Sequence, residues 1–280
     1  MDFEAYNKNR FDYKSSSRDV KKMLRELDAA NIDGLILDLR GNGGGFLFEA
    51  YSLAKLFIGR GNVVQVMEAN GTLQSLGHNL GQQNYDGPIV ILVDKLSASA
   101  SEILAGVIQD YDRGLVIGSQ TFGKGTVQRM IELSHGHLKF TEQKYYRVSG
   151  ESTQNKGVEP DITIPLVFND EEIGERSYEN SLPYNHIDPI FYRSFNKVEN
   201  VDLLKTISSN RTNSNEMSIY ISSQQDFYEN EKNNNVVPIN VEKRKSMKFA
   251  REAKILLMEN KFRKSLNLDP FVTYDEFVNS

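Results

Sequence analysis

An α/β fold is what this 280-residue sequence predicts. Short apolar, often β-branched runs at Leu35 to Leu37, Val63 to Val66, Val90 to Val93 and Leu115 to Ile117 read as strands. Between them, apolar residues recur with helical spacing, as in Val20, Met23, Leu24 and Leu27, or Ile103, Leu104, Val107, Ile108 and Tyr111. Repeated alternation of strand and helix is the pattern of an α/β core. With 39% hydrophobic residues the chain can bury such a core, and its length fits one large domain or a domain with an appendage.

Each element has a local reason. Met1 to Tyr13 is polar with interspersed aromatics, and Ser15, Ser16 and Ser17 then open an amphipathic helix. Ile32-Asp33-Gly34 turns the chain into a buried strand that ends at Asp38, followed by glycines 41, 43, 44 and 45 around Asn42. That glycine run matches neither the dinucleotide nor the P-loop spacing, so a phosphate cradle is a weak reading. Ala50 to Phe57 continues as a helix, Val63 to Val66 as a strand, Asn70-Gly71 as a hairpin turn and Gln74 to Gly87 as a surface loop. Beyond the central stretch, Val127 to Leu133, Leu138 to Thr141 and Lys144 to Val148 read as three strands. The composition changes near Pro165, so we expect a core over residues 1–168 and a mainly helical region over 169–280. Its helices fall at Val201 to Ile207, Met217 to Tyr228 and Val241 to Met258, with a loop at Asn233 to Asn235.

Composition narrows the function. A net charge of −5 with dispersed Lys and Arg gives no nucleic-acid surface. No cysteine is present, and His78, His135, His137 and His186 are scattered, so neither thiolate chemistry nor a metal cage is expected, and no cofactor. No apolar run approaches the roughly 20 residues of a membrane span, and no signal-peptide core stands at the N-terminus. Basic residues on the Val241 to Met258 helix read as a solvated face, so membrane contact is not expected.

The chemistry concentrates between Val90 and Gln128. A strand runs into Ser97, Ser99 and Ser101, a helix starts at or just after Ser99, and Lys124 later stands between Gly123 and Gly125. A serine at a helix start most simply caps it. The rarer role is a nucleophile, exposed on a sharp strand-to-helix turn with neighbouring N–H groups able to stabilise an oxyanion. Lys124 favours the second reading, because a desolvated lysine loses part of its preference for the ammonium form and can act as a base. Lowering its pKa from about 10.4 to about 7.5 takes roughly 4 kcal/mol, which requires a buried site.

Three segments, Leu37 to Gly45 (LDLRGNGGG), Val93 to Asp110 (VDKLSASASEILAGVIQD) and Gly118 to Gln128 (GSQTFGKGTVQ), resemble the carboxyl-terminal processing peptidases, a serine–lysine protease family. A fourth, Tyr145 to Pro165, is also characteristic, and Gly174 to Asp188 resembles the tail-specific branch, in which a helical C-terminal region accompanies the core. The resemblance implies a spiral αβ core shared with Clp-type proteases and crotonases. It makes Ser99 the nucleophile, Lys124 the general base, Gln128 the residue that orients the lysine, and Asp110 a residue sometimes assigned to the site. Ser97 and Ser101 then cap and pack. Gly44 or Gly45, with Ala100, would supply the oxyanion N–H groups, and Gly43 stands where relatives often carry proline, which loosens the loop without removing a donor.

Lys124 and Gln128 would lie about 13 Å apart on a straight strand, so they meet only if the backbone turns. Asp110 lies roughly 16 Å along the helix from Ser99, which makes it mainly structural. The implied function is serine endopeptidase action on unfolded or tagged polypeptides near their C-termini, in a periplasmic parent protein. A peptide-binding PDZ domain of that parent is expected outside this sequence, which would make the chain a fragment. The competing readings are a catalytically impaired peptide-binding or scaffold fragment, and crotonase-type acyl-CoA chemistry, which gives no reason for a serine–lysine pair.

Overall fold

The computed structural model describes residues 14–77, 82–165, 172–196, 198–234 and 236–280. Met1 to Tyr13, His78, the start of the acidic stretch after Asn169 and Asn235 lie outside the described residues. The chain divides into two compact units, one of Met1–Thr163 with Glu171–Asp202 and one of Ile164–Asp170 with Leu203–Ser280.

The first unit has the expected α/β build. Helix α1 (Ser16–Ala29) begins at Ser15, whose side chain accepts the Arg18 N–H as an N-cap. Strand β1 (Leu35–Asp38), helix α2 (Leu47–Ile58), strands β2 (Val64–Glu68), β3 (Leu73–Leu76) and β4 (Ile89–Val93), and helix α3 (Ala100–Asp110) follow. Strands β5 (Leu115–Gly118), β6 (Thr126–Glu132), β7 (His137–Tyr146) and the two-residue β8 (Ile162–Thr163) complete it. A parallel sheet runs in the order β1-β4-β5-β8, and an antiparallel sheet in the order β3-β2-β7-β6. Ile91, Val93, Leu104, Ile108 and Val116 are buried between sheet and helices, with Phe57, Val63 and Tyr145 in the same cluster.

Three local expectations change. Strand β1 is not buried on both faces: among the described residues it lies at the end of its sheet, paired with β4, and Ile36 is 66% exposed. The loop assigned to Gln74 to Gly87 begins as strand, because Leu73 to Leu76 closes the Asn70-Gly71 hairpin against β2. The two strands expected at Leu138 to Thr141 and Lys144 to Val148 are one ten-residue strand, β7, which pairs with β6 along its outer part and β2 along its inner part.

Residues 172–196 carry a short 3-10 turn at Glu175–Ser177 and otherwise irregular backbone that adds to the first unit. Ile187 N–H donates to Gly150 O at 3.0 Å, Ile190 N–H to Val148 O at 3.0 Å and Phe195 N–H to Tyr111 O at 2.8 Å. The second unit is helical: α4 (Val201–Thr212), α5 (Asn215–Asn233), α6 (Val241–Ser265) and the short α7 (Tyr274–Val278). The first three extend the helices read from periodicity, and α7 was not anticipated. Tyr220 of α5 stacks on Phe262 of α6 with ring centroids 4.2 Å apart. Among the described residues no helix is long and apolar enough to cross a membrane.

Candidate active site

The turn between β4 and α3 is laced to the glycine loop after β1. Asp94 Oδ1 accepts from Gly41 N–H at 3.0 Å, Leu96 N–H at 2.9 Å and Ser97 N–H at 3.0 Å. Ser97 is buried, donates its hydroxyl to Leu39 O at 2.8 Å and accepts the Asp94 N–H at 3.0 Å. Asn42 O accepts from Ala98 N–H and from the Ser101 hydroxyl, both at 3.0 Å. Ser97 and Ser101 are therefore scaffold. Ser99, the serine between them, is the N-cap residue of α3 and sits at φ +56°, ψ −112°, a conformation that L residues rarely hold.

Glu102, one turn into α3, joins the serine turn to the lysine segment. Its fully buried carboxylate accepts Ser99 N–H at 2.7 Å and Lys124 N–H at 3.0 Å on one oxygen, and the Thr121 hydroxyl at 2.6 Å and Gly123 N–H at 2.7 Å on the other. One carboxylate oxygen thus makes near neighbours of the Ser99 and Lys124 backbones. Burial pushes the Glu102 pKa up to about 7, against the four donors that favour the anion. Tyr145, buried on β7, closes the other side: its hydroxyl donates to Lys124 O, lies 3.3 Å from Ser99 O and receives the Thr153 hydroxyl at 2.9 Å.

Lys124 is half-buried, and its Nζ donates to Gln128 Oε1 at 3.0 Å. The contact spans four residues, and the register irregularity between Val127 and Gln128 puts its extra residue, Glu142, on β7. Burial lowers the Lys124 pKa, and the Lys139 charge lowers it further; Glu175 and Glu102 act in the opposite direction. Asp110 belongs elsewhere. It holds the Arg147 guanidinium through Nη2 at 2.5 Å and Nε at 3.1 Å, tying the end of α3 to the chain after β7.

Gly44 packs on the Ser99 turn so closely that a Cβ there would meet Ala98 O at 2.5 Å and Ala100 N at 2.8 Å, and its φ of +89° also requires glycine. Its N–H is spent on Asn42 Oδ1 at 3.0 Å. Among the described residues, no hydrogen bond engages the N–H of Gly45 or of Ala100, the first residue of α3. Gly44, Gly45 and Ala100 all line one cavity of about 230 Å³, whose walls include Val20, Leu37, Phe46, Leu53 and Leu104. Glu49 and Asp38 are the acids on its wall, and Asp38 is paired with Arg40 at 2.7 Å. Burial raises the Glu49 pKa, but hydrogen bonds from Ser17 N–H at 2.8 Å, Ser15 Oγ at 2.8 Å and Ser16 Oγ at 3.1 Å outweigh it and keep the carboxyl below its usual range. Among the described residues no group of acids and histidines is placed to hold a metal ion.

Sequence reasoning missed Glu102, Tyr145 and Asp94. Glu102 had a signal, since Ser99 followed three residues later by a glutamate is a capping-box pattern. The bonds of Tyr145 to Lys124 and of Asp94 to Gly41 gave none, because these partners lie 21 and 53 residues away.

The chain is similar to proteins already known. Residues 3–164 match the model of peptidase family S41, and residues 168–280 match the C-terminal domain of tail specific protease. A tail-specific protease of Haemophilus influenzae is 41% identical over 199 residues, 68% of this chain and 29% of that protein. A carboxy-terminal-processing protease of Bartonella bacilliformis is 38% identical over 147 residues, 52% of this chain and 34% of that protein. Among solved structures, a photosystem II D1 C-terminal processing protease is 34% identical, with a TM-score of 0.48 over 53% of this chain and 39% of that one. The chain thus spans about a third of the length of these curated relatives. With the family model matching more than half of it, and the serine turn, glycine loop and lysine segment all inside the match, the chain belongs to peptidase family S41.

Proposed function

We propose that this chain carries the catalytic machinery of a serine endopeptidase in which Ser99 is the nucleophile and Lys124 the base. The observation that carries the reading is Glu102, which fastens the backbones of both residues to one buried carboxylate. Lys124 Nζ, made less basic by burial and held by Gln128, takes the Ser99 hydroxyl proton as Oγ attacks the peptide carbonyl carbon. The oxyanion that forms is received by the N–H groups of Gly45 and Ala100, Gly44 serving to bring the loop against the serine. Lys124 then gives the proton to the departing amine, leaving an ester on Ser99, and the same lysine activates the water that hydrolyses it. Asp110 takes no part beyond holding α3.

The substrate reading follows from the cavity beside those N–H groups. Its walls are mainly aliphatic and aromatic, and of its two acids Glu49 is satisfied by Ser15, Ser16 and Ser17 and Asp38 is paired with Arg40, so it suits an uncharged apolar side chain on the acyl side of the cut. Unfolded or tagged polypeptides cut near their C-termini, in a periplasmic parent protein, are the substrates that fit the family match and this pocket.

A fluorophosphonate probe and casein digestion test the assignment together. Ser99→Ala is expected to lose both labelling and digestion with little change in melting temperature, whereas Ser97→Ala, which removes two buried hydrogen bonds, lowers the melting temperature and still labels. Equal labelling of Ser99→Ala and the parent chain overturns the proposal.

A further inference from the structure

We propose that the outer edge of β6 is a strand-capture site, where an extended, unfolded polypeptide with apolar residues at alternate positions adds to the antiparallel sheet beside Lys124. β6 is the end strand of its sheet, and β7 is its one ladder partner among the described residues. The direction of its free groups can be read from the hairpin. Leu133 N–H donates inward to Gly136 O at 3.0 Å, and the register is regular back to Gln128. In an antiparallel ladder the inward and outward peptide groups alternate, so Arg129 and Ile131 bond to β7 while Gln128, Met130 and Glu132 turn their N–H and C=O outward. That leaves a row of unpaired donors and acceptors of the kind an added strand satisfies.

Two further features favour substrate as the occupant. The row starts at Gln128, the residue that holds Lys124 Nζ, so a strand laid along it is continuous with the proposed catalytic groups. One face of the hairpin is apolar and uncovered: Ile131 is 40%, Leu133 51% and Leu138 48% exposed, with Leu138 directly opposite Ile131. A strand added at the edge places every second side chain on that face, which sets the preference for alternating apolar residues.

The inference rests on the peptidase reading, so its test uses binding to the Ser99→Ala chain, which needs no turnover. The probe is a short fluorescein-labelled peptide of alternating leucine and serine, followed by anisotropy. Met130→Pro removes an outward N–H without breaking a bond to β7 and is expected to weaken binding about tenfold, with Met130→Leu close to the parent. Should Met130→Pro not fold, the parent chain decides with peptides N-methylated at alternate residues: one phase of methylation blocks the ladder and the other leaves it intact. Equal affinity for both phases, or an unchanged affinity of a folded Met130→Pro, overturns the proposal. So does light scattering that shows the edge occupied by a second copy of the chain with peptide binding unaffected. Peptide capture together with absent fluorophosphonate labelling of the parent would instead strike the peptidase reading alone.

Discussion

At the scale of single residues, Ser99 holds a backbone conformation that costs of order 1–3 kcal/mol for a residue with a Cβ. Ser99→Gly is therefore expected to melt higher than the parent, by about 1 kcal/mol in stability, while losing all labelling; a lower melting temperature would show that the turn is unstrained. The lysine can be tuned from its surroundings. Lys139 and Glu175 pull its pKa in opposite directions, and the proposed mechanism requires neutral Nζ. Lys139→Gln raises the Lys124 pKa and moves the acidic limb of the kcat/KM profile to higher pH, and Glu175→Gln moves it lower. Identical limbs in both variants would exclude Lys124 as the titrating base. Ser99 and Lys124 were legible in the sequence as candidates because each sits in a short motif of small residues. The N–H assignment was not, since choosing between Gly44 and Gly45 depends on where the Asn42 side chain points.

Elements are joined at this site by few side chains, and those were the hardest to read. Glu102 lies on the buried face of a helix, where a carboxylate is normally excluded; its four partners come from the turn before α3 and the segment before β6. Glu102→Gln keeps the shape but replaces one acceptor oxygen with a donor NH₂ facing donors. We expect it to fold with lower stability and to lose most activity through kcat. The pH signature carries a definite sign. A carboxyl raised to about 7 from its ordinary 4.5 favours the folded state most below the lower value, and that contribution fades as pH rises through the upper one. The parent should lose stability over that interval relative to Glu102→Gln; parallel curves would contradict the burial assignment. Asp110→Ala breaks the Arg147 pair and should cost roughly 2–3 kcal/mol, with the labelling rate of Ser99 retained. The merging of two expected strands into β7 has a similar cause. Glu142, Gln143 and Lys144 interrupt the apolar pattern, yet they continue the strand because β2 and β6 pair with it there.

For the whole molecule, the class of fold was legible from alternation, and the helical second unit from period. The extent of the first unit was less so, because residues 187–195 carry no periodicity and join it through backbone bonds to Gly150, Val148 and Tyr111 and through Tyr192 and Phe195 packed on the Tyr111 ring. We propose Asp202 as the end of a stable core. A chain ending at residue 168 is expected to melt at least about 5 °C below one ending at Asp202, measured by circular dichroism. Equal melting would assign these residues to decoration.

The glycine loop also gives the molecule a shelf life. Asn42 precedes Gly43, where an added Cβ would meet nothing within 4 Å, and once its side chain leaves Gly44 N–H the Gly43 nitrogen can close onto the side-chain carbonyl carbon and expel ammonia. The resulting aspartate or isoaspartate removes the amide and adds a negative charge next to the N–H groups proposed to receive an oxyanion. Aged protein should accumulate molecules that are folded, intact in length and silent to the fluorophosphonate probe, with the modified peptide mapping to Asn42.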